Sequence, residues 1–399
     1  MKTKPHQRHD QQNYPDHPVL SRREFLYALG AAAAGLVLTG CKPKETSTAV
    51  PTSPQPTATT ASAAASQPTA TVVQAAGPQP TVAIARATSY DPKLVRQQVQ
   101  ALLDGIGGVS DVLNHGNRVA IKVNLTGGTT QPPLPGVSEI ESYLTHPEVV
   151  RALGELLRDA GVTQLFIVEA AYEPESWPHY GYTDMAKSID ATLVDLTDAQ
   201  PYKDFAVTPV PKDPFIYDKF TFNPILNEVD AFVSVSKMKC HATCGVTHTM
   251  KNLVGLVPYR FYTQSPGDTY RSGFHGTGGD PNKRLPRVIL DLNRARPVNL
   301  GLIDGIWTIE RGEGPWVNGV ALVKPGVLFA GKDPVATDSV ATAAMGFDPT
   351  TDYPNQPFLH ADNHLNIAKS LGLGTNRLEE IKVVGATIDE VRFQFKPSY

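Results

Sequence analysis

The chain has 399 residues, 41% hydrophobic and 19% charged, with 36 Lys and Arg against 39 Asp and Glu for a formal net charge of −3. The slight acidic excess excludes a surface built for nucleic acid, which needs a basic surplus. Three cysteines exclude a fold held by a disulfide framework.

The N-terminus carries the first signal. In "SRREFLYALG", Arg22 and Arg23 stand directly ahead of an apolar run that starts at Phe25 and Leu26, the pattern of a twin-arginine export signal. The run from Phe25 to Leu38 is 14 residues, short of the roughly 20 that span a bilayer as a helix. "LTGC" closes it at Cys41, and small residues before a cysteine are the pattern of a bacterial lipoprotein signal. Diacylation of Cys41 would anchor the chain, each buried CH₂ adding about 0.8 kcal/mol. The expected partners are the twin-arginine translocase, the lipoprotein-processing machinery and the membrane itself. The expected location is the outer face of the cytoplasmic membrane or the periplasm. Losing residues 1–40 removes five Lys/Arg and three Asp/Glu, leaving 31 against 36 and a charge of −5.

Residues 41–80 read as a tether. From Thr46 to Ala85 there is no charged residue, only Thr, Ala, Ser, Pro and a few others. Such a stretch cannot bury enough apolar surface to fold. The folded domain is expected over 81–399.

That domain alternates strand and helix. "TVAIARA" (81–87) is a predicted strand, and "DPKLVRQQVQALLDGIG" a helix with Asp91 as N-cap and Pro92 at its first position. "RVAIKVNL" (118–125) is a buried strand. "THPEVVRALGELLRDAG" repeats the helix grammar, with Thr145 or His146 before Pro147. "QLFIVEA" (164–170) is a strand, "TDMAKSID" a short helix, "ATLVDL" a strand, and "DAFVSVS" (230–236) another. A helix in "KRLPRVILDLNRAR" and strands in "VNLGLID" and "GVLFAG" follow. "DPVATDSVATAAMG" is a helix begun by Asp333 and Pro334. "NQPFLHADNHLNIAKSLGLG" ends helically and "EEIKVVG" is a last strand. The alternation predicts an α/β fold: a mostly parallel sheet with helices on both faces, in one body or two intimately joined lobes.

In such sheets ligands bind just beyond the C-terminal strand ends, which sorts the polar residues. Lys122 and Asn124 end one strand and Glu169 another. "SKMKCHATCGVTHTMKN" (236–252) follows a third. Lys237 and Lys239 alternate as that strand runs out and so point the same way. If 241–252 turns helically, His241, Cys244, His248, Lys251 and Asn252 share a face. Lysines and a histidine converging on one edge suit a small anion. Cys240, Cys244 and His248, with Glu313 from the loop "ERGEGP", are ligand types for a metal. One helix could present only part of such a set, so a metal on His241 or His248 would need distant carboxylates. Asp304 ends "LGLID", and Asp338 is a carboxylate on an otherwise apolar helix that needs a partner. Arg260 and His275 flank a glycine-rich insert long enough to be a lid.

Taken together these stretches resemble the domain-of-unknown-function family 362. The resemblance runs from about 115 to 386 and rests on "DAFVSVSKMKCHATCGVTHTMKNLVGLVP", "LGLIDGIWTIERGEGP" and "VLFAGKDPVATDSVATAAMGFDP", with "LGLG" before the final "IKVVG". The family pattern falls on Lys237, Lys239, His241, Thr247, Lys251 and Asn252, on Asp304, Gly305, Glu313, Gly314 and Pro315, and on Asp333, Pro334, Ala336 and Asp338. Val123 stands where the family has proline between Lys122 and Asn124, and Cys240 where it has threonine. The family's association with iron–sulfur clusters is not expected to carry over, because ferredoxin-type cysteine clusters are missing and a cluster needs four thiolates.

The resulting expectation is an exported lipoprotein with one cleft for a small anionic ligand. His241, Lys239, Asp304 and Asp338 are the catalytic candidates. Lys122, Asn124, Lys237, Thr247, Lys251 and Asn252 are the binding residues, and a divalent metal is an optional aid. The alternatives are a non-catalytic solute- or metal-binding lipoprotein, and a redox partner using an iron–sulfur cofactor.

Overall fold

Three proline-led helices start as their capping residues require. Helix α1 (Pro92–Gly105) begins where the Asp91 side chain accepts the Leu94 N–H. Helix α2 (Pro147–Asp159) is capped by the His146 ring, which accepts the Glu148 N–H. A third, Pro334–Ala344, is capped by Asp333 on the Ala336 N–H. A computed structural model describes residues 79–398, apart from 114–116, 269 and 277–280. The expected export signal with Arg22 and Arg23, the lipidation site Cys41 and the tether lie outside the described residues.

An eight-stranded sheet runs through the molecule. Its strands are β1 (Thr81–Arg86), β2 (Arg118–Lys122), β3 (Gln164–Glu169), β4 (Thr192–Asp195), β5 (Ala231–Lys237), β6 (Leu300–Gly305), β7 (Val327–Gly331) and β8 (Lys382–Gly385). Their order is β8-β1-β7-β6-β5-β2-β3-β4. All are parallel except β7, which pairs antiparallel with both β1 and β6. The α/β fold with a mostly parallel sheet is therefore as the alternation predicts.

Strand residues alternate between two apolar cores. Val82, Ala120, Phe232, Ile303 and Phe329 belong to one, and Ala83, Val119, Val233, Leu302 and Leu328 to the other. Both faces are covered, so the central strands read as continuous apolar runs. Helices α1 and α2 pack on one face. Helix α3 (Pro281–Ala295), α4 (Pro334–Ala344) and α5 (His364–Ser370) cover the other.

From β2 the chain moves to β3 and β4 on one side, whereas β5 moves to β6 on the other. The β2–β5 boundary is thus a topological switch point, where parallel sheets open a crevice at their C-terminal ends. Lys122, Glu169, Lys237 and Asp304 all end strands there. Thr145 ties this edge together. Its hydroxyl accepts the Asn124 N–H and donates to the Val235 carbonyl.

Two expectations are corrected. The stretch after β5 is not helical. Lys239–His241 pairs with Gly245–Thr247 as a β-hairpin around a three-residue loop, and a 3₁₀ helix follows over Lys251–Leu256. Gly245 has φ +81°, and a Cβ there would strike the Phe358 ring, so glycine is required at that bend. Asp338 does not reach the cleft. It lies on α4, and its two oxygens accept the Thr249 and Met250 N–H groups, each at 2.9 Å. It fastens the turn between the hairpin and the 3₁₀ helix.

Burial raises the Asp338 carboxyl to about 7, against the pull of the N–H groups that favour its charged form. An acid raised in the folded state binds extra protons there, so its stabilising contribution is full at low pH and declines as pH rises towards 7. Asp338→Ala leaves two buried N–H groups without acceptors and should cost about 2–5 kcal/mol. Urea denaturation should give a larger difference from the native chain at about pH 5 than at about pH 8; an equal difference at both would refute the assignment.

Candidate functional site

Three charged groupings meet at the sheet edge. The first lies on the α1–α2 face. Lys237 and Asp304 are register partners on adjacent parallel strands, and both are fully buried. Their Nζ–Oδ2 distance is 2.9 Å. Asp304 also accepts the Ile306 and His146 N–H groups and the Tyr90 hydroxyl, and Lys237 donates to the Tyr90 oxygen at 2.8 Å. The His146 ring stacks on Tyr90, centroids 3.7 Å apart and planes within 8°. Burial and the nearby Lys237 hold His146 down to about 3. With every oxygen of Asp304 occupied, this grouping is a closed clamp that joins β5, β6 and the start of α2.

The second grouping lies at the ends of β2 and β3. Lys122, also fully buried, sits 2.9 Å from Glu169 and donates to the Asn252 side-chain oxygen at 3.2 Å. Asn124 donates to the same oxygen, and the Asn252 amide donates to Ser234. Burial lowers Lys122 to about 8 despite the carboxylate. Gly255 packs against this pair: a Cβ there would meet the Glu169 carboxylate and lie 2.7 Å from the Lys122 Nζ. The absence of a side chain lets the 3₁₀ helix close down, and the Gly255 carbonyl accepts the Ala170 N–H.

The third grouping gathers around the hairpin. It contains Lys239, His241, Lys251, Arg271, His275 and Glu313. Lys239 reaches across the edge to the Tyr143 and Glu313 carbonyls, at 2.6 and 2.9 Å. His241 accepts the Thr243 N–H on Nδ1 at 3.1 Å, so its proton resides on Nε2. Burial and then Lys251 depress His241 and His275 below the usual imidazole range. Glu313 accepts the Ala242 N–H and the Trp316 indole N–H. Burial pushes its carboxyl up, but His241, these donors and Lys251 outweigh that and hold it near 2. Arg271 is buried and donates to the Val257 and Ala170 carbonyls. Lys251 is half-buried, and its charge also reaches Lys122, Lys239, Cys244 and His364.

The predicted site residues therefore separate. Lys239, His241 and Lys251 assemble beside Glu313, with Thr247 opposite Lys239 in the hairpin register. Lys122, Asn124 and Asn252 form the adjoining pair-and-amide network. Lys237 and Asp304 form the closed clamp, and Asp338 stands apart. The side chains of Asn124 and Thr247 each keep one buried oxygen without a hydrogen-bond partner.

The metal set is corrected as well. Cys240 hydrogen bonds to the Lys396 carbonyl and Cys244 to the Val246 carbonyl, and burial raises both thiols to about 12. His248 lies in the core near His364, and Glu313 is spent on backbone and indole donors. Among the described residues no three His, Cys, Asp or Glu side chains gather as ligands. Two protonated thiols facing different carbonyls do not fit an iron–sulfur cluster.

Tyr90 and Tyr143 lie outside the predicted site residues, and sequence shows His146 only as a helix cap. The one usable signal was the position of Tyr90 and His146 immediately before the capped starts of α1 and α2, where backbone and side chain both face the strand ends.

With the site in place, similarity to known proteins can be assigned. The family model described as Domain of unknown function (DUF362) matches residues 119–343, and the chain belongs to that family. It is 26% identical over 265 residues to the thylakoid-associated protein sll1697 of Synechocystis sp., covering 66% of this chain and 74% of that protein. Among solved structures it is similar to the lactate racemase apoprotein of Thermoanaerobacterium thermosaccharolyticum, at 14% identity and TM-score 0.37, over 64% of this chain and 54% of that one. A Thermotoga maritima protein gives 11% identity and TM-score 0.36, over 66% and 61%. The chain thus spans little more than half the length of these two structures.

The clamp yields a stability test. Asp304→Asn strands a buried ammonium and should cost about 3–5 kcal/mol, and pairing Lys237→Met with Asp304→Leu should not restore stability, because the Ile306 and His146 N–H groups lose their acceptor. Chemical denaturation of the three proteins decides it: a double variant as stable as the native chain would contradict the clamp.

Proposed function

We propose that this is an exported, lipid-anchored enzyme that acts on a small anion held between Lys239, Lys251 and Arg271. Charge balance carries the reading. Lys122, Lys239, Lys251 and Arg271 act on one another in one buried neighbourhood with only Glu169 and Glu313 as carboxylates. Lys122 already engages Glu169. An uncompensated positive field in a poorly hydrated site is costly, and a bound carboxylate or phosphate supplies the missing charge. Thr247 and the His241 Nε2–H add neutral donors. An acid–base enzyme is preferred over a passive binder because the His275 imidazole is kept neutral beside the cations, with its Nδ1 against the Arg271 carbonyl and Nε2 left to accept and return a proton.

The location is proposed on Arg22, Arg23 and Cys41, with support from the thylakoid association in the name of the Synechocystis relative. Cys41→Ser should move the protein from the membrane to the soluble fraction and abolish incorporation of labelled fatty acid. Retention of both would sink the anchor.

Isothermal titration with oxalate and with inorganic phosphate tests the cleft. Lys239→Met, which keeps the side-chain volume, should weaken binding at least tenfold, about 1.4 kcal/mol. Unchanged affinity in a folded variant would remove Lys239 from the site.

A further inference from the structure

We propose that Lys251 is a carbonyl-reactive amine that forms an imine with a small 2-oxo acid, an inference that rests on reading the cleft as an anion site. Lys251 differs from the other lysines here. Lys122 is bound to Glu169 and Asn252, Lys237 to Asp304 and Tyr90, and Lys239 to two carbonyls. Among the described residues Lys251 has neither a hydrogen-bond acceptor nor an ion-pair partner, although its own backbone begins the buried 3₁₀ helix. It is half-buried, whereas Lys122, Lys237 and Lys239 are wholly enclosed.

Its surroundings favour the free amine. Burial lowers its affinity for a proton, and Arg271 acts in the same direction; Cys244, Glu313 and Glu169 oppose them. A lysine that is partly desolvated beside another cation is the usual form of an imine-forming nucleophile. The other groups define the ligand class. The Arg271 guanidinium beside Lys251 attracts a carboxylate. A carbonyl adjacent to that carboxylate then lies within the same cluster, where the His241 Nε2–H can polarise its oxygen. That combination is a 2-oxo acid.

The step balances without an oxidant or reductant. The Lys251 Nζ lone pair attacks the carbonyl carbon, a C–N bond forms, and the carbonyl π pair moves to oxygen, which takes a proton. The carbinolamine nitrogen gives a proton to the neutral His275 imidazole, whose Nδ1 faces the Arg271 carbonyl and leaves Nε2 free to accept, and His275 returns it to the departing hydroxyl. Water leaves, and a protonated imine remains, with one proton taken up overall.

Borohydride trapping tests this on the purified full chain. The protein is incubated with glyoxylate or pyruvate, reduced, digested and mapped by mass spectrometry, with parallel samples containing oxalate. Lys251 should be modified at least tenfold faster than the average of the other lysines, oxalate should suppress that modification, and Lys251→Met should abolish it while circular dichroism stays unchanged. Modification spread evenly over the lysines, or none at Lys251, overturns the imine. If oxalate still binds the native protein by calorimetry in that case, the anion site stands and only the imine fails; if oxalate does not bind either, both fall.

Discussion

The structure depends on burying ammonium groups at the ends of parallel strands. Lys237 and Asp304 are register partners with no exposed surface, and removing two such charges from water costs several kcal/mol per ion unless each finds nearly ideal partners. The partners dictate the local architecture. Tyr90 must sit before α1, the His146 N–H before α2, and the Ile306 N–H after β6. One ion pair therefore fixes how four chain segments approach one another. Lys122 and Glu169 impose a similar condition two strands away, met by the Asn252 amide and by a glycine with no side chain to intrude.

These closed pairs frame the third grouping. Lys237 and Lys122 are satisfied internally. The hairpin carries Lys239 and His241, and Asp338 fixes the turn two residues before Lys251. Lys239 and His241 are held by hydrogen bonds to backbone rather than by contacts between themselves.

Much of the fold was legible in the sequence because its cues are local. Asp91, His146 and Asp333 each precede a proline, and each caps a helix where expected. The doubly covered sheet is legible in strands such as "VLFAG", apolar on both faces. The spacing after β5 admits a helix because its polar residues fall three and four apart, while Gly245 and the β-branched Val246 and Thr247 specify an extended return. Asp338, a carboxylate on an apolar helix, demands a partner, but sequence cannot tell that the partner is the backbone of a distant turn. The cysteines and His248 have the residue types of ligands, yet burial raises both thiols. Tyr90 carries no pattern of its own, and the cap position of His146 does not reveal its contacts with Tyr90 and Asp304, far away in the chain.

The direction of β1 has a further consequence. It runs parallel to β5 and β6 through its shared neighbour β7, so Thr81, where the chain enters the sheet, lies at the edge remote from Lys237 and Lys251. Chain entry and the buried lysine ends thus occupy opposite rims of one sheet.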